Sequence, residues 1–212
     1  MRDPHVVDHG IAVCREALST YGILLVQDAT LPSVTTFVAG GPVRGSWWSH
    51  EQAHSIFDVL ETLENETTTA KLVAKKLTLV ARDLWPALAA TGSEGAEWQR
   101  AGLTAGAASV EAQVRASAHP TRSDMLTTPD GPKLADLVRE LEHRLLVASD
   151  EVHTERGRHV KVLQSWSGWV AERSIGKLPS ADAARARLES AVHSVAPDRV
   201  AKLLPWPVES GT

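Results

Sequence analysis

An amphipathic helix followed by a hairpin of alternating apolar residues occurs twice, 81 positions apart. This pattern predicts a helix-rich α+β fold, two tandem winged helix-turn-helix modules with small β-hairpin wings. Laid over one another without a gap, Ala53, Ile56, Phe57, Leu60, Glu61 and Trp85 fall on Leu134, Leu137, Val138, Leu141, Glu142 and Trp166. A helix leading into a two-stranded ribbon is the second half of a winged helix. The expected organisation is a first module at residues 1–92, a second at 93–175, and a C-terminal helix with a proline-rich tail at 176–212. At 43% hydrophobic residues, each module has enough apolar material for a core.

Taken in order, the first helix is expected over about 9–21, with Asp8 as N-cap, Gly22 as stop and Ile11, Ala17 and Leu18 on its apolar side. Ile23 to Val26 reads as a short buried strand ended by Gln27-Asp28. A short helix opens near Leu31-Pro32-Ser33-Val34 and closes at Ala39-Gly40-Gly41-Pro42. Ser49, with Gln52 three residues on, forms an S-x-x-Q capping box for a helix over about 50–64. Lys71-Leu72-Val73 and Leu77-Thr78-Leu79-Val80 flank Ala74-Lys75-Lys76 as a hairpin, although no Asn-Gly signal marks its turn.

A helix from Leu84 to Ala90 and a connector around Thr91 to Gly95 lead into the second module. There a helix near 108–118, a turn at His119-Pro120, a short element at Thr121 to Leu126 and a break at Pro129-Asp130-Gly131-Pro132 precede a helix over about 132–144. Pro132 suits a first helical turn, where its missing N–H would have no partner in any case. Leu145 to Val152 reads as a strand that turns at Glu155-Arg156-Gly157-Arg158 and returns as His159 to Leu163, with Gly157 tolerating positive φ. A helix from Trp166 to about Arg173, another from Ser180 to Val195, and a tail packed through Trp206 complete the chain, whose final four residues should be loose.

Composition limits the function. One cysteine, Cys14, allows neither a disulfide framework nor a thiolate metal cage, which fits a reducing cytoplasm. The start, MRDPHVVDHG, does not read as a signal peptide, and no apolar run approaches the length that crosses a bilayer, so a soluble protein without membrane partners is expected. The net charge of −4 is acidic for a duplex binder, which requires the basic residues to gather locally.

They gather at the hairpins. Lys71, Lys75, Lys76 and Arg82 sit on and beside the first wing, and Arg156, Arg158, His159 and Lys161 on and beside the second, where wings meet phosphates. Lys133 and Arg139 lie on the second module's presumed recognition helix, mixed with Asp136 and Glu140. The corresponding helix of the first module offers His50, Glu51, Gln52, Ser55, Asp58 and Glu61, an acidic set that does not suit base reading.

His50-Glu51-Gln52-Ala53-His54 matches H-E-x-x-H, the spacing that places two imidazoles one helical turn apart beside a glutamate base in zinc peptidases. Here it falls in the first turn of a helix, without a third ligand following, so neither a metal nor another cofactor is expected. His143, His153 and His159, with Glu151 and Glu155 nearby, alternate in face along a ribbon and read as solvated side chains.

The Ser46-Trp47-Trp48-Ser49-His50 segment before a helix and the Val152-His153-Thr154-Glu155-Arg156-Gly157-Arg158-His159 wing resemble bacterial winged-helix proteins related to the alkylpurine and crosslink DNA glycosylases. The resemblance covers most of residues 9–175 and implies a DNA-binding or DNA-repair role. Those enzymes are longer and carry a catalytic Gln-x-Gln or Gln-x-Asp tripeptide. Here Gln27 is followed by Asp28-Ala29, Gln113 by Val114-Arg115 and Gln164 by Ser165-Trp166.

The leading expectation is therefore a DNA-binding or repair-associated protein that contacts duplex phosphates through its wings. A glycosylase-like enzyme with a pocket near Trp47, Trp48 and His50, with Glu51 beside it, is one alternative. A non-catalytic scaffold for a protein partner, favoured by the acidic balance, is the other.

Overall fold

A computed structural model describes residues 4–128, 133–153 and 159–208, with His153 and His159 given as backbone only. The described residues form a helix-rich α+β structure with two three-stranded antiparallel sheets. They divide into two compact units: 4–85 with 187–204, and 86–186 with 205–208.

The first unit begins with α1 (Pro4–Tyr21), which starts five residues ahead of expectation because Pro4 can occupy the first turn; Asp8 lies inside the helix and does not cap it. Gly22 ends it at φ 73, donating its N–H to Leu18 O at 2.8 Å. A Cβ at Gly22 would also meet Leu84 Cδ1 at 2.7 Å, so the position needs glycine for space as well as for φ. The fully buried β1 (Ile23–Leu25) follows, then α2 (Val34–Ala39), capped by the Ser33 hydroxyl accepting from Thr36 N and closed by Gly40 at φ 72.

The expected capping box at Ser49 and Gln52 does not form. Trp47–Ser49 makes a 3-10 turn, and α3 (Ala53–Glu64) starts only after it. Gln52 Oε1 instead accepts from Ser55 Oγ at 3.1 Å. The two imidazoles of the H-E-x-x-H stretch consequently do not share one helical face, since His50 precedes the helix and His54 is its second residue.

The ribbon β2 (Thr67–Val73) and β3 (Lys76–Ala81) joins β1 in the order β1-β3-β2. Its two turn residues, Ala74 and Lys75, have φ of 52 and 59, the left-handed values a tight antiparallel turn demands. Neither is a Gly or Asn, which is why the turn gave no sequence signal. Leu18, Leu24, Val38, Ile56, Val59, Leu63 and Leu79 close the core, each contributing about 1.5–3 kcal/mol by burial.

A 3-10 turn at Arg82–Leu84 leads to α4 (Trp85–Ser93), which starts one residue later and ends three residues later than expected. The second unit continues through α5 (Glu97–Arg100), which the sequence reading missed, to α6 (Ala105–Ala116), capped by Thr104 accepting from Ala107 N. Next come β4 (Thr121–Arg122), a 3-10 turn at Ser123–Met125, α7 (Leu134–His143), β5 (Ala148–His153) and β6 (His159–Gln164). The proposed helix opener Pro132 lies outside the described residues. The sheet order is β4-β6-β5. Val110, Val114, Leu137, Leu141 and Leu163 form this unit's core.

Gln99 ties the second unit together from a fully buried position. Its Oε1 accepts from Ala96 N at 3.0 Å, and its Nε2 donates to Gly92 O and Arg144 O, both at 3.2 Å. Finally α8 (Trp166–Glu172), α9 (Ala181–Val195), a 3-10 turn at Pro197–Arg199 and α10 (Val200–Leu203) complete the order. Within the second unit Trp206 is buried, its ring centroid 5.6 Å from that of Trp98, so the tail does pack through it. Residues 209–212, expected to be loose, lie outside the described residues. Among the described residues no helix is long and apolar enough to cross a membrane.

The repeat is visible in both hairpins, with a drift. Thr67 pairs with Ala81 as Ala148 pairs with Gln164, so the first strands are offset by 81 and the second strands by 83. The connection from His153 to His159 is three residues longer than that of the first hairpin while β5 is one residue shorter than β2, a net gain of two that the Arg82–Leu84 turn before Trp85 absorbs. Trp85 and Trp166 therefore each begin the helix after a hairpin, as the gap-free alignment implied.

Candidate functional site

A cleft of about 640 Å³ opens on the first unit where three segments meet: residues 26–29 after β1, residues 43–47, and the turn end of the β2-β3 hairpin. Strand pairing brings these together. Val26 N donates to Leu77 O at 2.9 Å, continuing the β1-β3 ladder and setting Gln27 and Asp28 beside Lys76. Gln27 Nε2 then donates to Gly45 O at 2.7 Å, which pins the second segment against the first.

Asp28 is the cleft's one acidic lining residue, and its charge is already satisfied. Its Oδ1 accepts from Thr30 N, Thr30 Oγ1 and Leu31 N at 2.8 to 3.0 Å, and its Oδ2 receives Lys76 Nζ at 2.6 Å. Burial alone would push this carboxyl up. The Lys76 contact and the Thr30 and Leu31 donors outweigh it and hold the group at about 2.

The remaining cations of the cleft, Arg44, Lys71 and Lys75, have no hydrogen-bond or ion-pair partner among the described residues. The site thus presents three uncompensated positive charges beside one neutralised pair. Trp47 lines the same cleft and stacks on Trp48, with ring centroids 3.9 Å apart and planes 24° apart. Phe57 lies 5.9 Å from Trp48 in a tilted arrangement. Trp48 remains 57% exposed, an unusual position for so large an apolar ring.

The other candidate phosphate contacts fall elsewhere. Arg82 donates to Asn65 O at 2.8 Å and lies over the Trp85 ring. Arg139 pairs with Asp136 at 2.8 Å on the exposed side of α7, and Lys133 is exposed at that helix's start. Lys161 is held by the buried carboxylate of Glu142, which also accepts from Ser149 Oγ at 2.7 Å. Arg156 and Arg158 lie outside the described residues, and of His159 only the backbone pairing with His153 is described.

Of the catalytic candidates, His50 is half-buried with Nδ1 accepting from Gln52 N at 3.1 Å, and Glu51 is exposed. Among the described residues no group of three or more His, Cys, Asp or Glu side chains is placed to hold a metal ion.

Sequence reasoning missed Arg44, Gln27 and Asp28. Arg44 lies in a Gly- and Pro-rich stretch that reads as irregular, and only the β1-β3 pairing brings it near the hairpin lysines. No known protein family matches the chain, and no curated protein or solved structure matches it.

Proposed function

We propose that this chain is a nucleic-acid-binding protein of tandem winged-helix type, contacting duplex DNA phosphates through the first hairpin and the loop beside it. The observation that carries the reading is the set of three cations, Arg44, Lys71 and Lys75, around one cleft whose only carboxylate is taken up by Lys76. Uncompensated cations gathered at one place are what phosphate binding requires in a protein of acidic net charge. The sheet orders β1-β3-β2 and β4-β6-β5, each preceded by a helix that leads into the ribbon, support the winged-helix reading.

The contact set is narrower than two symmetric wings would give. Lys76, Arg82, Arg139 and Lys161 each have an intramolecular partner, so binding would compete with those interactions. A DNA-repair association is part of the proposal through the resemblance of the Trp47-Trp48 segment and the second wing. A labelled duplex titrated at low salt tests it: micromolar or tighter binding, weakened by Arg44→Ala, Lys71→Ala and Lys75→Ala, is expected. Failure to bind would leave the scaffold reading, which the exposed Glu61 and Glu64 on α3 favour.

A further inference from the structure

We propose that the cleft of the first unit holds the phosphates of an unpaired nucleotide on Arg44, Lys71 and Lys75, with its base stacked outside the cleft on Trp48, which adjoins it by stacking on the lining residue Trp47. This deepens the nucleic-acid reading above and depends on it, by giving the exposed indole a partner.

Trp48 packs against two aromatic neighbours yet is left open. One neighbour, Trp47, is half-buried against the core and stacks on it; another, Phe57, packs at a tilt from α3. A ring fixed in this way loses little freedom when a second flat group lies against it. Every nucleobase has a π-face for such a platform, and stacking of this kind tolerates any sequence. Bases inside a duplex have both faces covered by their neighbours, so only a terminal or unpaired base can use it. The phosphate next to that base carries the charge that the cleft cations lack.

An acidic polypeptide would satisfy the cations equally but would leave the indole without a flat partner, so the nucleotide is the better fit.

The test uses the full chain, its Trp48→Ala and Trp48→Phe variants, and two labelled duplexes of equal length, one blunt and one with a short thymidine overhang. Native protein should bind the overhang duplex about tenfold more tightly than the blunt one. Trp48→Ala should weaken the overhang duplex about tenfold and the blunt duplex, whose terminal pair offers one free face, by much less, and Trp48→Phe should keep most of the preference. Equal native affinity for the two duplexes, or equal weakening of both by Trp48→Ala, overturns the stacking assignment while leaving duplex binding standing. Binding to neither at low salt overturns both readings. Polyglutamate that binds as tightly as the overhang duplex at matched charge overturns the nucleotide in favour of an acidic protein.

Discussion

The ammonium of Lys76 lies 2.6 Å from Oδ2 of Asp28, joining the turn end of the first hairpin to the loop after β1 across 48 residues. This pair both braces the cleft and cancels its only negative charge, so stability and binding should respond to it in opposite directions.

Asp28→Asn should cost about 1–2 kcal/mol at neutral pH, allowing for solvent screening at the half-exposed lysine. The folded carboxyl titrates at about 2, below its unfolded value near 4, so its contribution is complete above the unfolded value and is lost as pH falls through about 2. Urea midpoints of native and variant protein should therefore converge between pH 4 and pH 2. The same variant should bind duplex DNA more tightly, because Lys76 is released.

Gly92→Ala should disrupt the second unit. A Cβ there would lie 2.1 Å from Trp166 Nε1, which itself donates to Leu145 O at 2.7 Å. A loss of about 3 kcal/mol or more is expected in thermal or urea unfolding. Gly176→Ala, with open space around it, should change stability by less than about 0.5 kcal/mol.

Glu142 and Glu61 are matched by the repeat but not by environment. Glu142 is buried with Lys161 and Ser149, whereas Glu61 is exposed. Glu142→Ala should cost about 1–3 kcal/mol and Glu61→Ala less than about 0.5 kcal/mol, measured by denaturant unfolding.

Ala74→Asn should stabilise the protein by about 0.5 kcal/mol, since Asn tolerates the left-handed conformation that Ala74 adopts at φ 52. Its duplex affinity should match that of the native protein, because no cation is altered.

Cys14 is fully buried, and burial pushes its thiol up to about 12. A thiol reagent at pH 8 should leave it unmodified in the folded protein and label it fully in denaturant.

Much of this architecture was legible in the chain, because hydrophobic period and punctuation act locally. Gly22 and Gly40 stop helices where expected, and the second hairpin follows its alternating run. The failures have tertiary causes. Ser49 and Gln52 satisfy the pattern of a capping box, but the Trp47–Ser49 turn uses Ser49 before the helix begins. Lys161 reads as a free cation until the fold sets Glu142 against it, and Arg44 reads as loop until β1 pairs with β3. The cleft was half visible, as the lysines of a hairpin, and its other half depends on contacts between distant segments.

The most direct measurement is the salt dependence of duplex binding for native protein and for the triple variant Arg44→Ala, Lys71→Ala, Lys75→Ala. A double variant at Lys177 and Lys202, exposed and outside the cleft, serves as control. If three phosphates are neutralised there, the slope of log affinity against log salt should fall by about 2.7 in the triple variant and stay unchanged in the control. An unchanged slope in the triple variant, or an equal fall in the control, would contradict phosphate binding at this cleft.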